Sequence, residues 1–101
     1  MIITDLSQNP AVNNSINLKD IGNNASGKVD CLQVLATGTL DSGEVKLTCS
    51  QDNENYYPLN DEDGVQIVLT PGVPVYLKFA NIYIKCDILN LISSDLKVWV
   101  Q

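Results

Sequence analysis

Along residues 44–50 the chain reads EVKLTCS, with Val45, Leu47 and Cys49 alternating with Glu44, Lys46, Thr48 and Ser50. A period of two puts each set on its own face of an extended backbone, which predicts a half-buried β-strand. Residues 82–89 alternate in the same way: Ile82, Ile84, Cys86 and Ile88 fall on one face, and Tyr83, Lys85, Asp87 and Leu89 on the other. Residues 96–100 repeat the pattern with Leu96, Val98 and Val100 inward. Further β-rich stretches cover 28–36, 65–69 and 75–79. Between the last two, Pro71 and Gly72 suit the central positions of a type II turn. Pro74 then opens the next strand, where its missing N–H costs least. The chain shows no amphipathic stretch of helical period. Closely spaced strands without helices predict an all-β fold, a single antiparallel β-sandwich of Greek-key or jelly-roll type spanning residues 28–101.

Residues 1–27 differ. They carry six asparagines and scattered apolar residues (Ile2, Ile3, Leu6, Ile16, Leu18 and Ile21) with no sustained period. The segment reads as an extended N-terminal arm with too many hydrophobic side chains for a free linker. It is expected to lie in short extended pieces, either on its own domain or on a neighbour.

Composition narrows the chemistry. At 101 residues the chain is one domain by length. Twelve acidic residues against six lysines give a net charge of −6, and there is no arginine. A polyanion is repelled on average and no bidentate fork for phosphate is present, so nucleic acid is not an expected partner. The absence of histidine removes the commonest general base and the usual zinc nitrogen. Neither a Ser-Lys pair nor a carboxylate dyad has a recognisable signature, so the expectation is no enzyme, no cofactor and no metal. Cys31, Cys49 and Cys86 match no metal spacing and read as small buried hydrophobes. The opening ten residues carry no signal-peptide pattern, and no apolar run reaches the length of a membrane span, so no membrane partner is expected.

The stretch SQDNENYYPLNDEDG, residues 50–64, is the most conspicuous polar feature. Asp52, Glu54, Asp61, Glu62 and Asp63 are hard oxygen ligands of the type calcium takes. Measured against an EF-type loop starting at Asp52, however, Tyr56 and Tyr57 stand where a ligand and the turn glycine are required. Tyr56 and Tyr57, with Asp52 and Glu54, form an alternative glycan-binding surface; the competing reading makes one tyrosine a lid on the edge of the domain. Strand parity suggests a second surface. With Val75, Leu77 and Phe79 inward, Tyr76 and Lys78 point outward, as do Tyr83 with Lys85 and Trp99 with Lys97. Together with Ile2, Ile3, Leu6, Ile16 and Leu18 of the arm, these side chains are the candidate protein interface.

The segments GEVKLTCSQDNENYYPL, LTPG, NIYIKCDIL and LKVWVQ, within roughly residues 38–101, resemble the strand-and-loop pattern of small bacteriophage virion β-sandwich proteins, of the capsid decoration, head-fibre or neck accessory type. The resemblance implies a non-enzymatic structural protein made in the host cytoplasm and located in the virion, on the capsid surface. Its implied partners are the major capsid protein or another virion protein, and further copies of itself in a homo-oligomer such as a trimer.

Overall fold

A computed structural model describes residues 1–24, 31–78, 80–92 and 95–101. The elements run in chain order as β1 (Ile2–Asp5), β2 (Val12–Asn13), β3 (Ile16–Asn17), α1 (Leu18–Asn24), β4 (Cys31–Thr37), β5 (Ser42–Ser50), β6 (Tyr57–Pro58), β7 (Val68–Leu69), β8 (Val75–Lys78), β9 (Tyr83–Ile92) and β10 (Lys97–Val100). The protein is mostly β, as its alternating pattern requires, and its strands form two antiparallel sheets. The first has the order β2-β1-β10-β4-β8. The second has the order β3-β9-β5-β6, with β7 also pairing β5.

The longest pairing, β5 with β9, sets Leu47 opposite Cys86 and Val45 opposite Ile88 on one face, and Thr48 opposite Lys85 on the other. In the first sheet, Val98 pairs with Ala36 and Val100 with Val34, all fully buried. One apolar cluster draws Leu32, Val34, Ala36, Val98 and Val100 from the first sheet and Val45, Leu47, Leu69, Ile84 and Cys86 from the second. Each fully buried aliphatic side chain there contributes about 1.5–3 kcal/mol relative to exposure. No buried side-chain nitrogen or oxygen lacks a hydrogen bond among the described residues, so no unpaired polar side chain there offsets this gain.

The expected turn after β7 is present: Gly72 has φ +83° and Val73 N–H donates to Thr70 O at 3.0 Å, the hydrogen bond and dihedral of a type II turn. The expected strand over 65–69 shortens to Val68–Leu69. Residues 59–67 instead fold into a tight tongue: Ile67 N–H donates to Leu59 O (2.9 Å), and Asp61 N–H to Val65 O (2.8 Å). Of the strand expected over 28–36, residues 28–30 lie outside the described residues, as does the inward placement of Phe79.

Of the two dispositions open to residues 1–27, the described part takes the one in which the segment folds on its own chain. β1 lies inside the first sheet between β2 and β10, and β3 edges the second. A bulge sets this up. Ile2 pairs with Trp99 and Thr4 with Val98, leaving Ile3 as an extra residue, so that both Ile3 and Thr4 are buried. The segment also contains a helix where none was expected. Asn17 Oδ1 accepts the Lys19 N–H at 2.9 Å, an N-cap bond, with Asp20 in the first turn and Leu18 and Ile21 packed on the core. The boundary at residue 27 falls outside the described residues.

Candidate functional site

The acidic stretch is built as two carboxylate-centred turns. Ser50 ends β5 and Tyr57 begins β6, and the chain must reverse between them. Asp52 Oδ1 accepts the Ser50 hydroxyl (2.8 Å) and the Glu54 and Asn55 N–H groups (both 2.9 Å), while Oδ2 accepts Asn55 Nδ2 (2.8 Å). Ser50 Oγ in turn accepts the N–H groups of Asp52 and Asn53. Asn53 takes a left-handed φ of 61°, which asparagine tolerates better than most residues. Its Oδ1 accepts both the Ser15 hydroxyl at 2.7 Å and the Tyr56 hydroxyl. The Asn55 and Glu54 N–H groups, with the Ser50 hydroxyl, hold the Asp52 carboxyl far below the usual carboxylate range. A carboxylate so occupied organises a turn; it is not poised to take up a proton. Asp61 plays the same part in the next turn, accepting the N–H groups of Asp63 (2.9 Å) and Val65 (3.0 Å). Among the described residues, no three His, Cys, Asp or Glu side chains are grouped as a metal site.

Beside the first turn lies a cavity of about 420 Å³ lined by Cys49, Ser50, Gln51, Asp52, Asn55, Tyr57 and Ile82. Tyr57 is 65% exposed at its edge. Of the four residues expected to form a glycan surface, Asp52 and Tyr57 meet here, whereas Tyr56 and Glu54 are not part of the lining. Gln51 and Asn55, which the sequence did not single out, supply amide groups to the same wall.

The candidate protein interface is divided. Tyr76 and Lys78 on β8 and Lys97 and Trp99 on β10 belong to the first sheet, but Tyr83 and Lys85 on β9 belong to the second. No single lysine-aromatic face therefore exists. Trp99 and Lys97 are half-buried, and Trp99 Nε1 donates to Thr37 Oγ1 at 3.0 Å. Tyr83 and Lys85 are half-buried as well. Among the arm residues, Ile3 and Leu18 are core side chains, while Leu6 and Ile16 pack partly buried against that core. Ile2 is half-buried opposite Trp99. Buried Ile3 and Leu18 are thus not available to a partner. Of the whole set, Tyr76 (64% exposed) and Lys78 are the exposed members.

Tyr76 and Lys78 line a larger groove of about 770 Å³, where the edge of the first sheet at β8 meets the tongue and β7 of the second. Val65 (61% exposed) and Val68 (43%) face the same groove, with Asp61 and Glu62 at its rim. Val65 and Val68 sit in the run VQIVL, whose near-continuous apolarity gives no parity by which to mark them as outward.

The two described cysteine side chains differ. Cys49 is half-buried, with Sγ 4.0 Å from Pro58 O. Cys86 is 3% exposed, and burial pushes its thiol up to about 11, against a smaller lowering by Thr4. Comparison with family models, curated protein sequences and solved structures gave no match.

Proposed function

We propose that this protein is a non-enzymatic structural component of a tailed-bacteriophage virion, a capsid decoration protein that binds and stabilises the head shell. In this reading the two sheets close over their shared core as a β-sandwich of Greek-key or jelly-roll type, and the protein sits on the shell as a homo-oligomer. The major capsid protein is its partner, and neither nucleic acid nor membrane is. The resemblance of residues 38–101 to small virion proteins supports it. The net charge of −6 without arginine supports leaving nucleic acid out of the partners. The observation that carries the reading is the gathering of exposed apolar side chains (Val65, Val68 and Tyr76) along one edge, a composition suited to a protein contact.

Co-sedimentation with purified shells tests it. The intact protein should bind saturably and raise the temperature at which the shells open, and Tyr76→Ser should bind more weakly. Absence of binding by the intact protein sinks the proposal. Deleting residues 1–27 is not a usable control, because it removes β1 from the interior of a sheet.

The cavity at Tyr57 favours a second reading, a carbohydrate-binding module for host-surface recognition. An aromatic face with Asp52, Gln51 and Asn55 around it is a suitable wall for a sugar ring. A glycan array with Tyr57→Ala decides this, using Tyr56→Ala as the comparison since Tyr56 lies outside the cavity lining. No glycan retained by the intact protein would end it.

A further inference from the structure

The first sheet ends at β8. Residues 75–78 pair with β4 along one edge, and among the described residues no strand pairs with the other. Such an edge offers alternate backbone N–H and C=O groups in the geometry of a missing neighbour. Proteins commonly blunt open edges with charge or proline, and here Pro74 and Lys78 do so only at the two ends. The groove beside the edge is apolar instead: Val65, Val68 and Tyr76 present exposed side chains into it.

Charge decides what fits. Among the described residues lining the groove, Asp61 and Glu62 stand against one cation, Lys78, and Asp63 follows them in the same turn. Asp61 is committed to its turn through the Asp63 and Val65 N–H groups, but the residue still lines the groove and keeps its negative charge beside it. A second copy of this chain would bring another net −6 toward this surface, which like-charge repulsion disfavours.

We propose that this groove is a strand-addition site for an extended, lysine- or arginine-bearing segment of a partner protein. The segment pairs its backbone with β8, seats alternate apolar side chains against Val65, Val68 and Tyr76, and sets its cations beside Asp61 and Glu62. The inference rests on the virion reading for the source of the partner, but not for the chemistry of the groove.

The test uses the full chain and an acetylated, amidated heptapeptide, Lys-Val-Lys-Val-Thr-Val-Lys, followed by amide chemical shifts and titration calorimetry. Shifts are expected at residues 65–68 and 75–78, with binding that weakens as salt rises. Glu62→Lys, a change at an exposed side chain, should weaken binding up to about five-fold, and Tyr76→Ser by about five-fold or more. A peptide with glutamate in place of each lysine, or with proline at its centre, should bind neither detectably nor at this edge. No binding at millimolar peptide, equal binding of the glutamate version, or shifts confined to another surface overturns the proposal. Concentration-dependent self-association that protects the β8 amides also overturns it, because the occupant is then a second copy. Peptide binding without shell binding removes the virion reading alone, and shell binding without peptide binding removes strand addition alone.

Discussion

Replacing Ile3 by alanine distinguishes an integral first strand from a detachable arm. Ile3 is 2% exposed at the β1 bulge and belongs to the central cluster, and its carbonyl accepts the Asn14 N–H at 2.8 Å. Around it the strand is tied at both ends: the Met1 amino group donates to Val100 O (3.0 Å), Val100 N–H to Met1 O (2.8 Å), and Leu6 N–H to Leu96 O (2.9 Å). These backbone bonds survive the substitution, so the loss is that of buried methyl and methylene groups plus the cavity left behind. That loss is about 2–5 kcal/mol, a large part of the roughly 5–15 kcal/mol that stabilises a domain. Ile2→Ala is the internal reference. Ile2 is half-buried and loses chiefly its cross-strand contact with Trp99, worth about 0.2–1 kcal/mol. Urea unfolding followed by tryptophan fluorescence, with both variants at constant m-value, gives the difference directly. Each kcal/mol also lowers the melting temperature by about 4–8 °C in a domain of this size. If Ile3→Ala costs no more than Ile2→Ala, β1 is not held in the sheet and the placement of the core is wrong.

Gly38→Ala should cost about 2–4 kcal/mol, because Gly38 has φ +104° and an added Cβ would stand 2.6 Å from the Asp95 carbonyl oxygen; an unchanged urea midpoint refutes that approach. Asp52→Asn tests the carboxylate-centred turn. Folding lowers the Asp52 pKa, so its stabilisation is complete above the unfolded value of about 3.9 and is lost as pH falls through the still lower folded value. The variant should therefore be less stable than the parent at pH 7, with the two melting curves converging in strong acid; parallel curves throughout would show that Asp52 contributes nothing through its charge. Maleimide labelling of the native protein should modify Cys49 well before Cys86, whose buried thiol is held at about 11; equal rates would place Cys86 at the surface. Trp99→Ser should lower stability by about 1–3 kcal/mol through lost packing and the Thr37 bond, whereas Tyr76→Ser should stay within about 0.5 kcal/mol; calorimetric melting of both reverses or upholds that order.

The legible part of the fold is the part where one strand face is polar. In β5, β9 and β10 alternation alone predicts that Val45, Leu47, Ile84, Cys86, Val98 and Val100 are buried. Parity failed where the chain departs from regular pleating. At β1 the bulge turns two consecutive residues, Ile3 and Thr4, inward, so no period of two exists to be read. α1 was signalled only by Asn17 as cap, Asp20 in the first turn and the three-residue spacing of Leu18 and Ile21. That is too short a pattern to stand out among asparagines that serve turns equally well. The acidic stretch was legible as a polar segment between the strand patterns over 44–50 and 65–69. That its carboxylates are consumed by their own backbone was not, since it depends on the dihedrals of residues 52–55 and 61–65.

The candidate surface shows the deeper limit of parity. Alternation assigns a side chain to one face of its strand, but it says nothing about which sheet holds the strand or whether the strand lies inside that sheet or at its edge. Tyr76 and Trp99 have the same parity and a lysine two positions away, yet Tyr76 is 64% exposed and Trp99 is half-buried. The difference is topological. β10 lies between β1 and β4, so Ile2 and Leu35 flank the indole on both sides. β8 has β4 on one side and, among the described residues, no strand on the other. Tyr83 and Lys85 share the pattern again, but pairing with β5 carries them to the second sheet. Accessibility of an aromatic residue on a β-domain is therefore fixed by long-range pairing, and the exposed edge at β8 follows from the strand order, not from the composition of β8. The same reasoning accounts for Val68 as a surface residue despite its apolar run: among the described residues β7 pairs with β5 alone, and of its two residues Leu69 takes the core position while Val68 stays open.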